Sequence, residues 1–317
     1  MRYICLISGK DSLATALIQT THQPDLPYEF VFNDVGCELP ETYAWLDRVE
    51  QKTGWRIERV GESLEAIIRG YNGFLPGQRS RYCTREAKIQ PLERWLGSDR
   101  AIVYYGLRAD ENRTGYVPVA GSTITPAYPL QQFGVDLQGV YSILQAQDLL
   151  PPSFHWQRLE ESVDCRLSDI EWRSHLKLWQ FRSLFAGRSR GNCLFCFYQQ
   201  QVEHLWLLET HPDLYWWAAS FEKTAEQQPA KKRPARSAVA VQGELLTIDP
   251  PTAKAYTWRD GYSLAELAAD QGMQRHIFDR HVKKICQAIV GIVQQTGLGI
   301  AIDSEIALTS CGLLCGK

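Results

Sequence analysis

The chain has 317 residues, of which 44% are apolar and 22% charged, and a formal net charge of −2. This is the composition of an ordinary globular protein, long enough for one large domain or two smaller ones, and it gives no global electrostatic case for binding nucleic acid or a membrane surface. No apolar run reaches the roughly 18 residues of a membrane span, and the opening MRYICLISGKDS lacks the apolar stretch and cleavage site of a signal peptide, so a cytosolic location is expected.

In chain order, RYICLIS (2–8) reads as a strand and SLATALIQT (12–20) has helical spacing. YEFVFND (28–34) reads as a second strand, and ETYAWLDRVEQKTG (41–54) as a helix with Glu41 in its first turn and Gly54 as its stop. WRIERVG (55–61) alternates like a strand, TREAKIQPLERWLG (84–97) is helical with a kink or restart at Pro91, and AIVYYGL (101–107) is a further strand. Strands alternating with helices predict an α/β fold with a doubly wound parallel sheet, whose ligands sit at the carboxyl ends of the strands. After about residue 130 the pattern turns mainly helical, over 135–152, 167–185, 199–223 and 263–295, the last with a break expected at Gly272. Residues 227–237 read as a polar, proline-containing loop.

The stretch SGKDS (8–12) leaves the first strand and opens the first helix. Backbone N–H groups and the positive end of a helix dipole converge at such a junction and form an anion site. Gly9 allows close approach of a phosphate, Ser8 and Ser12 supply hydroxyls, and Lys10 supplies charge. Asp11 is the odd member, since a carboxylate repels phosphate unless it orients the loop or helps to hold a metal. The stretch is not a GxxxxGK[ST] loop. An ordinary strand–helix turn capped by Asp or Ser explains the same five residues equally well in isolation; their place after the first strand favours the phosphate site.

SGKDSLA resembles the PP-loop of the adenine nucleotide α-hydrolase superfamily, and most closely its PAPS reductase branch, with Ile7 where that branch usually has a first Ser. Four further stretches agree in order: FNDVGCELPETYAWLDRV (32–49), RYCTREAKIQPL (81–92), GLRADENRTG (106–115) and YPLQQFGVDLQGVYSIL (128–144). The resemblance implies a PP-loop nucleotide-binding α/β domain over 1–155, followed by a helical, cysteine-containing region over 156–317. It implies that Ser8, Gly9, Lys10, Asp11 and Ser12 hold nucleotide phosphates, that Asp34 meets the adenosine or a metal, and that Arg81, Lys88, Gly106 and Arg108 line the bound nucleotide. Lys10, Asp11, Arg108 and Arg113, with Cys83, form the implied catalytic set. Fixed Lys and Arg groups suit chemistry in which negative charge develops on phosphate or sulfate. A solvated surface position is the plainer account of Arg81 or Arg113 taken singly.

Of nine cysteines, Cys193 and Cys196 form C-x2-C and Cys311 and Cys315 form C-x3-C. Two such pairs supply four soft ligands, enough for structural zinc or an iron–sulfur cluster. A dithiol redox pair, or plain core packing of Cys196 between Phe195 and Phe197, accounts for the first pair as well. GNCLFC is similar to the Gly-Cys-x-x-Cys that helps to ligate a four-iron cluster in the APS reductase subgroup; the second half of that subgroup's upstream Cys-Cys is here Thr84. Cys83 is a further candidate ligand, completed by Cys311 or Cys315. The terminal SCGLLCG matches the PAPS reductase Glu-Cys-Gly-x-His nucleophile only at Cys311-Gly312.

These features imply an enzyme that binds ATP, with Mg2+, or an adenylyl-sulfate nucleotide. The favoured expectation is sulfur transfer: adenylation of a substrate oxygen with pyrophosphate release, then delivery of sulfur. Reduction of a sulfonucleotide by a cysteine thiolate is the alternative. A third is a non-catalytic nucleotide-binding subunit of an assembly that handles nucleic acid, using Lys231, Lys232, Arg233 and Arg236, whose plainer reading is a solvated loop.

Overall fold

The computed structural model describes residues 1–188, 193–223 and 256–296. Five parallel strands form one sheet in the order β3-β2-β1-β4-β5: β1 (Arg2–Leu6), β2 (Tyr28–Phe32), β3 (Ile57–Arg59), β4 (Ala101–Tyr104) and β5 (Ile124–Ala127). The central strands are near-continuous apolar runs because both faces of the sheet are covered. On one face Cys5, Phe30, Phe32 and Tyr104 pack against α1 (Lys10–His22), α2 (Pro40–Thr53) and α7 (Leu137–Ala146) through Leu13, Ala16, Trp45, Leu46, Val140 and Leu144. On the other, Ile4, Leu6, Val31 and Val103 pack against Leu92 and Leu96 of α5 (Gln90–Leu96). The expected doubly wound parallel sheet is thus present.

Several elements end where the local chemistry requires. Gly54 closes α2 in the left-handed conformation, as the sequence predicts. Pro91 restarts the predicted 84–97 helix: a single turn, α4 (Tyr82–Thr84), runs into a π-helical turn at Arg85–Ile89, and α5 follows with Pro91 near its N-terminus, where a missing N–H costs little.

The second half is helical, with corrections to the sequence-based bounds. The helices are α8 (Gln157–Arg166), α9 (Leu178–Leu184), α10 (Gln201–Thr210), α11 (Pro212–Ala219), α12 (Leu264–Ala269) and α13 (Gln271–Thr296). The predicted 167–185 helix is α9 alone, preceded by an irregular stretch and a 3-10 turn at Arg173–His175. Trp172 fills the core from that turn, so its apolar spacing reflects burial without a helix. Pro212 splits 199–223 into two helices, and the 263–295 break falls at Asp270 instead of Gly272. No helix among the described residues is long and apolar enough to cross a membrane.

The helical region shares a core with the sheet's carboxyl edge. Val35, Cys37 and Leu39, from the segment after β2, and Leu64 and Ile68 of α3 (Leu64–Gly70) pack in one cluster with Trp156, Leu159, Phe185, Leu194, Phe195, Tyr215 and Ile285.

Two glycines separate close packing from open space. A Cβ on Gly61, just past β3, would lie 1.7 Å from the Asp34 carbonyl oxygen, whereas one on Gly70 meets nothing within 4 Å. Gly61→Ala is expected to lower stability by about 1–3 kcal/mol, while Gly70→Ala, at a helical position, is neutral or stabilising by up to about 1 kcal/mol. Urea unfolding of the two variants checks the pair; equal midpoints would refute the close approach at Asp34.

Candidate functional site

The 8–12 stretch folds as a closed loop at the N-terminus of α1. The backbone N–H groups of Ser8 and Gly9 both donate to Ser12 Oγ, at 2.7 and 2.9 Å, and that hydroxyl donates back to the Gly9 carbonyl at 3.0 Å. Ser12 therefore braces the loop that the first helical N–H groups look out from. Ser8 is exposed, whereas Gly9, Lys10, Asp11 and Ser12 are half-buried. Gly106, just past β4, lies directly against this junction: a Cβ there would stand 2.6 Å from both the Asp11 carbonyl carbon and the Ser12 nitrogen. A glycine at that position is a condition for the loop to dock on the sheet edge.

Arg108 is the charged centre of the site, at 5% exposure. Its guanidinium reaches the Asp11 carboxylate at 3.4 Å through Nη1 and the Asp110 carboxylate at 2.9 and 3.2 Å through Nε and Nη2. Glu111 accepts from the Arg108 backbone N–H at 3.1 Å and from the exposed Arg113 at 3.1 Å. Lys10 Nζ stands 3.1 Å from Asp11. Burial favours the neutral acid at Asp11, but Lys10 and Arg108 outweigh it and hold the carboxyl below its ordinary range, so it stays ionised.

Asp34 sits where β2 ends. Its Oδ1 accepts from the Gly36 N–H and from the Tyr43 hydroxyl, both at 2.9 Å. Burial, then the bond to Asp34, raises the Tyr43 phenol above its usual value. Arg81 is exposed and lies over the Tyr198 ring at 5.4 Å, so its recorded contact is with the segment after the C-x2-C pair.

A second group of residues gathers beyond Asp34. Cys37, buried in the β2–α2 connection, has the Cys193 thiol as its dominant electrostatic neighbour. The backbone ties the two segments as well, the Leu194 N–H donating to the Cys37 carbonyl at 2.6 Å. Arg188 clamps the cysteine loop through the Cys193 and Leu194 carbonyls at 3.1 and 3.3 Å, and Gln199 Nε2 donates to the Leu194 carbonyl at 2.6 Å. Lys88 lies within electrostatic reach of Cys37, Cys193, Cys196 and the buried Glu38, and Cys193 above all raises its pKa. The neighbouring Cys37 thiol, helped by Lys88 and Arg188, pulls Cys193 down toward the thiolate, and Cys193 in turn pushes Cys37 up. Burial raises Cys83, and raises Cys196 to about 12. Glu38 is raised to about 8 by burial and then by Cys193, and its Oε2 is a buried oxygen with no hydrogen-bond partner.

The predicted residues thus fall into two groups. Ser8–Ser12, Gly106, Arg108 and Arg113 meet at the α1 N-terminus. Lys88, Cys83, Cys193 and Cys196 meet in the second group, with Arg81 at its margin. Cys37, Glu38 and Arg188 were not anticipated. The one sequence signal for Cys37 is a cysteine at the carboxyl end of a strand, a position at which parallel sheets bind ligands. Cys311, Cys315 and the basic stretch at 231–236 lie outside the described residues.

A family model, the phosphoadenosine phosphosulfate reductase domain, matches residues 2–117. That segment, well under half of the chain, is similar to the PAPS reductase family. An uncharacterized protein of Methanocaldococcus jannaschii is 30% identical over 113 residues, covering 34% of this chain. The chloroplastic 5'-adenylylsulfate reductase 3 of Arabidopsis thaliana is 32% identical over 111 residues, covering 33%. The match spans 23% of the length of each of these curated relatives. A crystal structure of PAPS reductase from Candida auris in a phosphate complex aligns with a TM-score of 0.36 at 17% identity, covering 48% of this chain and 74% of that one. The matched segment contains the whole of the α1 junction, together with Cys37, Cys83 and Lys88, while Cys193 and Cys196 come from outside it.

Removing the Arg108 guanidinium leaves the Asp11, Asp110 and Glu111 carboxylates without the cation they share. Arg108→Ala is expected to lower stability by about 3 kcal/mol, the low end for breaking a buried ion pair because the carboxylates are partly exposed. Arg108→Ala combined with Asp11→Asn should recover part of that loss, and a double-mutant cycle from denaturant unfolding measures it; strict additivity would refute the pairing.

Proposed function

We propose that this chain is an enzyme of sulfur chemistry that takes ATP at the 8–12 loop. It would adenylate an oxygen of its substrate, releasing pyrophosphate, and inorganic sulfide would then displace AMP, the new bond to sulfur replacing the bond to the oxygen that leaves with AMP. The observation that carries this reading is the ionised Asp11, flanked by Asp110 and Glu111, around a buried Arg108 at a helix N-terminus. A bare anionic nucleotide is repelled by such carboxylates, whereas a triphosphate arrives with Mg2+, which binds phosphate oxygens and one or two protein carboxylates. Among the described residues no group of three His, Cys, Asp or Glu is arranged to hold a metal ion. Mg2+ would accordingly come with the nucleotide, with Asp11 as the nearest protein donor. The α1 N–H groups and Lys10 would neutralise the phosphates, and Arg108 would keep Asp11 oriented. The sulfur would be managed at the cysteine group, where an iron–sulfur cluster, or zinc in its place, is the cofactor in question. The substrate that accepts sulfur, a nucleic acid or a small metabolite, would enter between the two groups.

A second reading has its own observation. Cys193, drawn toward the thiolate beside Lys88 and next to Cys37, is arranged like an attacking thiol with a resolving partner. That pair suits reduction of an adenylyl-sulfate nucleotide.

The two readings part on their products. With Mg2+ and ATP, the adenylating enzyme releases pyrophosphate, and Asp11→Asn and Lys10→Ala each lower that rate at least about tenfold, the scale of a lost charge contact in the transition state. With adenylyl sulfate and a dithiol, the reductase releases sulfite, and Cys193→Ser abolishes it. Sulfite without pyrophosphate would overturn the first reading in favour of the second.

A further inference from the structure

We infer that the cavity where the C-x2-C loop runs into α10, walled on another side by α13, binds a phosphate group at a site separate from the 8–12 loop. The inference goes beyond the sulfur chemistry and does not depend on which sulfur reaction the chain performs.

The cavity has a volume of about 280 Å3, near the lower end of the roughly 300–1,000 Å3 of small-molecule sites. Arg259, Arg280, His281 and Lys284 line it, and no Asp or Glu is among the described residues that do so. Gln78, Gln199, Gln200 and Gln201 line it as well. Guanidinium, ammonium and amide groups without a carboxylate are the donor set that oxyanion recognition uses. The donors come from three separate parts of the chain, the start of α10, the segment that holds Arg259, and α13. A tetrahedral phosphate, with oxygens pointing several ways, suits such walls better than a planar carboxylate with two.

The helix α13 shows how the sequence builds this wall. Its core stripe is Phe278, Val282, Ile285 and Ile289. Positions 277, 280, 281 and 284 form the neighbouring face at helical spacing, and there the apolar Ile277 is followed by Arg280, His281 and Lys284. Two of the cations are aimed by neutral partners. Arg259 Nη1 donates to the Gln199 carbonyl at 3.2 Å, and Arg280 Nη2 donates to Gln201 Oε1. Neither acceptor carries charge, so these contacts orient the guanidiniums without cancelling them.

The titratable groups around the cavity register a positive field. Burial, then Lys284 and Arg280, pushes His281 down to about 4. Burial, then Arg259 and Arg188, pushes His204 of α10 down to about 3. Burial raises the Tyr262 phenol, against the pull of Arg259 and Arg280. Cations that make imidazoles harder to protonate and a phenol easier to ionise leave a place where an anion is favoured. A phosphate entering it would take N–H donors from Arg259, Arg280 and Lys284 and supply the counter-charge. Arg280 is exposed, so the cavity opens to solvent there, and the exposed Arg81 lies over the ring of Tyr198, another lining residue. The phosphate can therefore be a free ion or small phosphorylated molecule, or one link of a nucleic-acid strand whose neighbouring phosphate meets Arg81. Both present the same group to the cavity.

The test follows the ring-proton resonance of His281, assigned by its loss in His281→Gln, while the full chain is titrated with inorganic phosphate. A single-stranded oligonucleotide of about eight nucleotides is titrated separately. The variants are Arg280→Glu, Lys284→Glu, Lys10→Ala at the 8–12 loop, and Arg275→Glu, an exposed position of α13 outside the cavity that makes the same change of net charge. Far-UV circular dichroism is recorded for each. None of these readouts requires ATP or turnover, so they stand whether or not pyrophosphate or sulfite is ever released. The expected result is a saturable shift in the parent, kept in Lys10→Ala and Arg275→Glu. It should need at least about tenfold more ligand in Arg280→Glu and in Lys284→Glu, the scale of one lost charge-assisted contact. Should a charge reversal disturb the fold, Arg280→Gln at the same exposed position decides the matter. A shift that the oligonucleotide reaches at lower concentration than phosphate, and that salt weakens steeply, assigns the phosphate to a strand; a shift with phosphate alone assigns it to a free ion or small molecule. No shift with either probe, an undiminished shift in Arg280→Glu and Lys284→Glu, equal weakening in Arg275→Glu, or loss of the shift in Lys10→Ala would each overturn the assignment.

Discussion

All five strands run parallel, and that one constraint places the α1 junction and the β2 connection on the same edge of the sheet. A parallel strand must be re-entered from the same end, so each carboxyl terminus opens onto one side and each return crosses a face. β1 pairs with β2 and β4 in register, so Ser8, Asp34 and Gly106 lie past the ends of three adjacent strands. Nothing else in the chain has to be specified for the α1 junction and the β2 connection to be neighbours. The helical region then has one surface on which to settle, and it buries Val35, Cys37 and Leu39 there.

Two chemically different neighbourhoods follow from this edge. At the α1 N-terminus, charge is balanced by alternation: a buried guanidinium among carboxylates, with a lysine at the margin. At the cysteine group the balance is lopsided, several acidic or potentially acidic groups sharing Lys88 and Arg188. The first neighbourhood is a network of alternating charges, and the second a set of thiols held beside two cations.

Much of this was legible in the residue order. The strands β1, β2 and β4 read as apolar runs because both faces of the sheet are buried, and α1 and α2 announce themselves by spacing and by Gly54. β5 escaped notice because its four residues, ITPA, carry a proline and little apolar surface, as an edge strand tolerates. α8 escaped because QRLEESVDCR is mostly polar and buries only Leu159 and Val163. The 8–12 loop was legible as a strand–helix junction, since all five residues are consecutive. Cys37 was not, because its partners are supplied by tertiary packing across some 150 residues of chain and no local spacing encodes them.

The π-helical turn at Arg85–Ile89 has a geometric consequence for the cysteine group. In an α-helix, with 3.6 residues per turn, two positions five apart point about 140° away from each other. Within a π turn the hydrogen bond spans five residues, as in Gln90 N–H to Arg85 O, and positions five apart come nearly into line. Lys88 lies in this turn, and Cys83, five positions earlier, lies in α4 just ahead of it. The wider turn lessens the rotation between them, so a single short segment carries both a sulfur and a cation that acts on it.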